Sequence, residues 1–256
     1  MIRSILSAFL MYSRIPVPKV EWNEKNRRYV LGAFPLVGAV IGGMVILLKA
    51  VFNAIGVGSM MFACFAAVLP IVITGGIHLD GFCDVSDALS SYGDRQKRLD
   101  IMRDPHIGAF AVIRLVTLII AEAGLFSQIK SVKELLLPSL GYVLSRALSG
   151  LLALTLRPAS DKSSLVDFIR AADKKVNICM DAAFAAAASV GMVLIEPFSA
   201  LCCIIAAGFT AEYFKHFVIK NFGGVTGDLC GWFLQLCEFW ILAAAVFSNT
   251  VSGVIK

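Results

Sequence analysis

VLGAFPLVGAVIGGMVILLKAVF, residues 30–52, decides the fold, because this whole run carries a single charge, Lys49. As a helix it is about 34 Å long at 1.5 Å per residue, enough to cross a hydrocarbon core of about 30 Å. Working outward, six further stretches read the same way: Met60–Ile77, Ala109–Ile129, Leu135–Leu154, Ile178–Leu194, Phe198–Phe217 and Leu229–Val246. The composition agrees with them. The chain is 58% hydrophobic and 16% charged, with a mean hydropathy of +0.81, against about 45–50% apolar and about 25% charged for soluble domains. So much apolar surface exceeds what one soluble core buries, and lipid is its solvent. The expected fold is all-α: a polytopic integral membrane helix bundle of about seven transmembrane helices.

The opening MIRSILSAFLMYSRIPVP is basic and then apolar, like a signal peptide. Its apolar run is short and no clear small-residue cleavage site follows, so it reads as a retained N-terminal interfacial helix. With no internal repeat, low-complexity tract or linker, residues 1–256 read as a single membrane-embedded domain.

Polar segments at 13–29, 78–106, 157–177 and 215–228 alternate with short connections near 53–59, 130–134 and 195–197. The four long segments hold 16 of the 23 Lys and Arg residues. Cytoplasmic loops carry the Lys/Arg excess, so these four are expected on the cytoplasmic side of a bacterial inner membrane, with the C-terminus outside. The net charge of +5 belongs to this asymmetry and is no sign of nucleic-acid binding. Arg114, Glu122, Arg146 and Glu238 lie within or at the ends of apolar stretches. Charge at membrane depth is costly and turns to the bundle interior or to the interface; Arg114 and Arg146, near the cytoplasmic ends of their helices, are read as snorkelling or as serving the site. The seven cysteines form no CxxC pair and read as small buried hydrophobes, and three scattered histidines are too few for a zinc site.

The densest chemistry is TGGIHLDGFCDVSDALSSYGDRQKRLDIMRDPHIG, residues 74–108. Asp80, Asp84 and Asp87 stand at i, i+4 and i+7, on one face of a helix. Three like charges in a row repel, so a cation belongs among them. Carboxylate oxygens without His or Cys partners suit magnesium before zinc. Magnesium typically takes one or two carboxylates and completes its shell with water and substrate phosphates, so the stripe is a place to hold a diphosphate. Gly75, Gly76 and Gly81 leave backbone uncovered for a bulky ligand. Arg95, Lys97, Arg98 and Arg103 are placed to neutralise phosphate oxygens, although Asp94, Lys97, Arg98 and Asp100 equally read as solvated loop charges. Asp104 adds a carboxylate and His78 a candidate proton acceptor.

A second patch, NFGGVTGDLCG at 221–231, places Thr226 and Asp228 among Gly223, Gly224, Gly227 and Gly231. A glycine-rich turn entering a helix exposes amides to an anion or permits tight helix packing. Both readings stand on the sequence. The topology puts this patch on the same side as the aspartate stripe.

These residues resemble a known family. HLDGFCDVSDAL is similar to the HxDGxxDxxDG signature of cobalamin synthase, adenosylcobinamide-GDP ribazoletransferase. The likeness extends, in order, to SRIPVP, to FPLVGAVIGG at 34–43, to IMRDPHIGAFA at 101–111, to LSRAL around Arg146 and to GGVTGDLCG at 223–231. Ala88 departs from the usual glycine. The resemblance implies a transferase that joins adenosylcobinamide-GDP to α-ribazole or its 5′-phosphate and releases GMP, with magnesium as cofactor, at the lipid bilayer. It then implies Asp80 and Asp84 as metal ligands, with Asp104 as an extra one. Asp87 either completes the metal site or takes the hydroxyl proton. Arg95, Arg103 and Arg146 would neutralise phosphate, and Asp228 would serve the second substrate or a second metal. Oligomeric state stays open, a homo-oligomer included. Two alternatives rank lower. A CDP-alcohol phosphotransferase has alanine where Asp84 stands, and the acidic site of a cation-coupled transporter lies near the midplane.

Overall fold

The computed structural model describes residues 1–91, 93–160 and 164–255. Lys256 and positions 161–163 of the polar segment 157–177 lie outside the described residues. Twelve helices are described among them, and no strand. Six are long and apolar enough to cross a membrane: α3 (Val30–Ala54), α7 (Ala109–Ser127), α8 (Val132–Thr155), α10 (Lys174–Ile195), α11 (Pro197–Phe222) and α12 (Gly227–Ile255).

The expected seventh span is broken. α4 (Ser59–Thr74) ends at Gly75 and Gly76, and α5 (Ile77–Ser90) leaves it at 98°. The reason is local. Gly75 and Gly76 have φ of +68° and +81°, a region where residues bearing a Cβ are strained. Two such residues in succession end a helix and turn the chain sharply. α4 is about 24 Å long, so α5 begins close to one end of the bundle rather than beyond it.

α8 is the central helix. It packs on α3, α10 and α12, and most of its length is buried. Small residues set the approach: Gly38 and Gly42 of α3 lie against the backbones of Tyr142 and Ser139, leaving no room for a Cβ. Such close backbone approach is how helices associate in lipid, where burial from water gives little drive. By contrast, α7 and α10 show most of their apolar side chains outward, as lipid-facing helices should. Cys64 and Cys179 are exposed while Cys83, Cys203 and Cys237 are buried, so only some cysteines are core residues.

The amphipathic α1 (Ile2–Tyr12) packs along α3. The short α2 (Glu24–Arg27), α6 (Arg95–Ile101) and α9 (Ser164–Ala171) lie in the polar connections. Hydrogen bonds tie these connections to one end of the bundle. Arg14 N–H donates to Ile73 O at 2.7 Å, Val225 N–H to Arg157 O at 2.9 Å, and Asp173 N–H to Arg28 O at 3.1 Å. Arg28 also pairs with Asp173 at 2.7 Å and, with the Val176 amide, holds that carboxyl below its usual range. At the opposite end Lys49 is buried, its Nζ donating to Ile129 O at 2.9 Å over the Phe62 ring. The four polar segments thus share one mouth.

Candidate functional site

α5 carries the aspartate stripe across that mouth and is clamped to α12 at two glycines. A Cβ on Gly81 would lie 2.6 Å from Asp228 O, and one on Gly231 would lie 3.0 Å from His78 O. Gly81 therefore serves helix contact rather than ligand approach. The crossing brings Asp228 to the stripe. Asp84 feels the charges of Asp80, Asp228 and Asp87, and Asp228 feels Asp80. Among the described residues, no ion pair reaches Asp80, Asp84 or Asp228.

Asp87 has another task. Its carboxylate accepts the Gly108 amide at 2.5 Å and the Ala111 amide at 2.9 Å, capping the first turn of α7 from outside. Asp104 is also engaged: it accepts the His106 amide at 3.0 Å and meets the His106 ring at 2.6 Å. The His106 amide, foremost, holds the Asp104 carboxyl below its usual range.

Beside the stripe runs an open groove of about 680 Å³, lined by Arg14, Thr74, Gly75, Gly76, Asp80 and Cys83 among others. The Arg14 side chain lies directly against Gly75, where any Cβ would collide with its Nε and Cγ. Arg14 was not legible as a site residue in the sequence. It is one of several basic residues in a polar segment, and the Arg14–Ile73 hydrogen bond and the Gly75 turn bring it into the groove that Asp80 also lines.

The other basic candidates divide. Arg95 donates to Ile219 O at 3.2 Å and Arg98 to Asn221 Oδ1 at 2.7 Å. Both sit at the C-terminal end of α11, where cations are favoured by the helix dipole. Arg103 is exposed, 4.0 Å from Asp100. Asp94 caps α6 by accepting the Lys97 amide. Arg114 reaches back to Ser86 O at 3.0 Å.

Arg146 departs from expectation. It neither snorkels nor reaches the mouth, but lies buried at 1% exposure and pairs with Glu238 at 2.5 Å. Its position explains this, since nine residues, about 13 Å of helix, separate it from the end of α8. Phe34 and Tyr142 flank its guanidinium, and Glu122 lines the same interior pocket.

In the glycine-rich turn, packing accounts for Gly224, which lies against the backbone of Arg157–Ala159. Thr226 Oγ1 accepts the Leu229 amide at 3.2 Å and so caps α12. Gly227 has open space where a Cβ would be. His78 is turned inward: it is 6% exposed, its ring stands 6.1 Å from Tyr12 and 5.4 Å from Phe34, and among the described residues its Nε2 has no hydrogen-bond partner.

The donor set bears on the expected metal. As the side chains stand, no group of three or more His, Cys, Asp or Glu among the described residues is gathered closely enough to hold an ion alone. Magnesium does not require such a group, because substrate phosphates and water complete its shell. Asp80, Asp84 and Asp228, oxygen donors that no ion pair reaches among the described residues, can supply one or two such ligands, whereas Asp87 and Asp104 are engaged by amides.

Fold and site together define a polytopic membrane protein with a carboxylate-lined groove where a broken helix crosses the bundle mouth. The family model for cobalamin-5-phosphate synthase matches residues 4–246. An adenosylcobinamide-GDP ribazoletransferase of Lachnoclostridium phytofermentans is 38% identical over 98% of this chain and 95% of its own. Proteins of the same name from a Geobacillus species and from Acinetobacter baumannii are 33% and 29% identical, over 89% and 94% of this chain and 88% and 94% of theirs. The chain belongs to the cobalamin-5-phosphate synthase family, and it is a membrane transferase. No solved structure matches it.

Proposed function

We propose that the groove joins adenosylcobinamide-GDP to α-ribazole, or to its 5′-phosphate, and releases GMP, at the cytoplasmic face of the bacterial inner membrane. The observation that carries this reading is the convergence of Asp80 and Asp84 with Asp228 beside an open groove that also holds Arg14. In the reaction a ribose hydroxyl oxygen bonds to the phosphorus on the cobinamide side. The bond from that phosphorus to the oxygen of the GMP phosphate breaks, and the hydroxyl proton passes to a carboxylate.

One or two carboxylates from among Asp80, Asp84 and Asp228 would hold magnesium together with water and substrate phosphates, and the ion would supply charge neutralisation for the diphosphate. Arg14, which lines the same groove as Asp80, pairs with phosphate oxygens beyond their reach. At the turn, Gly76 has open space where a Cβ would be, which leaves room for a large corrinoid beside Arg14. The openness of the groove suits a substrate too large for a closed pocket. The long segments' share of Lys and Arg supports a cytoplasmic mouth.

The test is purified protein in detergent with adenosylcobinamide-GDP and α-ribazole, read for GMP. One GMP per corrinoid consumed is expected, dependent on both substrates, abolished by a chelator and restored by magnesium. Absence of GMP with both substrates and magnesium present refutes the reading.

A further inference from the structure

The Arg146–Glu238 pair borders a small interior pocket of about 20 Å³, enclosed by α4, α5, α7, α8 and α12. Ile71, Thr74 and Leu79 line both this pocket and the groove, so it lies directly behind the groove wall. A cavity of about 10–15 Å³ holds one water molecule, so an occupant here is of that size.

The charges around the pocket do not balance. Two carboxyls line it, Glu122 of α7 and Glu238 of α12, against one guanidinium, Arg146. Arg146 is committed to Glu238, to which Ser145 Oγ also donates at 3.0 Å. Glu122 stands within electrostatic reach of Glu238, and no ion pair reaches it among the described residues. The remaining polar lining is Thr74, Tyr142, Gln235 and His78. The first three are neutral at neutral pH. A protonated His78 would restore the sum, but its ring packs beside Tyr12 and Phe34 and, among the described residues, its Nε2 has no acceptor. Depth makes the imbalance costly. Glu122 lies thirteen residues along α7 from its start at the mouth, about 20 Å of helix. An ionised group without a partner at such depth is neutralised rather than kept charged.

We propose that the interior pocket is a proton-binding site, with Glu122 as the acceptor and room beside it for one water molecule. The pocket then holds a neutral acid next to a neutral Arg146–Glu238 pair. Glu122 is half-buried on a helix that shows most of its apolar side chains outward, so an apolar reagent reaches it from the lipid side. Asp181 of α10 is fully buried and beyond that reach.

Addition of a carbodiimide reports the proton. The acid oxygen bonds to the central carbon of the carbodiimide and the acid proton passes to one of its nitrogens. The resulting O-acylisourea rearranges to a stable N-acylurea, and nothing is expelled. A carboxylate brings no proton and stays unmodified.

The experiment treats the full-length protein in detergent with dicyclohexylcarbodiimide and maps the adduct by peptide mass. Exposed carboxyls, with ordinary values of about 4, are ionised at about pH 8, the pH chosen for the reaction. Selective modification of Glu122 is expected, equal in sodium chloride and choline chloride, and absent from Glu122→Gln. Infrared spectra of the wild type and Glu122→Gln should differ by the carbonyl band of one protonated acid, a reading that needs no reagent to enter. The mapping in the wild type decides by itself should that variant not fold. An unmodified Glu122 or a missing band overturns the proposal. So does labelling suppressed by sodium chloride and not by choline chloride, which assigns the positive charge to a sodium ion.

Discussion

Arg146 of α8 and Glu238 of α12 meet at 2.5 Å inside the bundle, at least two turns from any helix end. Ser145 Oγ also donates to Glu238 at 3.0 Å, and Arg146 donates to Tyr142 O at 3.0 Å. Removing one partner of such a pair leaves a buried charge uncompensated, at a cost of roughly 3–5 kcal/mol. Arg146→Met is therefore expected to lower the melting temperature in detergent sharply. Replacing both, Arg146→Met with Glu238→Met, should recover most of it, because isosteric apolar pairs replace buried ion pairs with little loss. A double variant no more stable than Arg146→Met would show that Arg146 has a task beyond the pair.

Gly75 and Gly76 are adjacent and both left-handed, yet their surroundings differ. A Cβ on Gly75 collides with the Arg14 side chain, while one on Gly76 meets nothing within 4 Å among the described residues. Alanine at either position incurs left-handed strain of about 1–2 kcal/mol. Only Gly75→Ala should also displace Arg14. Gly75→Ala should thus raise the KM for adenosylcobinamide-GDP several-fold more than Gly76→Ala, at similar melting temperatures. Equal KM values for the two variants would remove Arg14 from the phosphate site.

The spans were legible because twenty-odd apolar residues in a row have few alternatives to lipid. The aspartate stripe was legible because i, i+4, i+7 spacing fixes a face. The break after Thr74 was not, since the apolar pattern of Met60–Ile77 runs straight through it and only the φ values of two glycines make the turn. Arg14 and the Arg146–Glu238 pair escaped for a common reason. Each owes its place to a contact distant in sequence, Arg14 with Ile73 and Gly75, Arg146 with a residue on the last helix. The sharing of roles among the aspartates was hidden likewise, because the amides that occupy Asp87 come from the start of α7.

The mouth shared by the polar segments makes sidedness a single question. Gln96 on α6 is exposed at that mouth, and Val57 lies in the short connection between α3 and α4 at the opposite end. Gln96→Cys should react with a membrane-impermeant maleimide only in inverted vesicles, and Val57→Cys only in intact cells. Labelling of Gln96→Cys from outside intact cells would reverse the orientation and with it the cytoplasmic supply of both substrates.

The four aspartates should separate by function when each is changed to asparagine. Asp80, Asp84 and Asp228 lie within electrostatic reach of one another and no ion pair reaches them among the described residues, so losing one charge should not harm the fold. It should cost roughly 10²-fold in turnover, the scale of removing one strong electrostatic stabiliser. It should also raise the magnesium concentration for half-maximal rate. Asp87→Asn keeps an acceptor oxygen but weakens two charge-assisted hydrogen bonds to α7, each worth roughly 1.5–3 kcal/mol. Its expected signature is a lower melting temperature with an unchanged magnesium requirement. Magnesium titrations of GMP release, run beside thermal melts, read both quantities. A magnesium requirement raised by Asp87→Asn and left alone by Asp84→Asn would move the cation to the α7 side of the stripe and undo the assignment of Asp228.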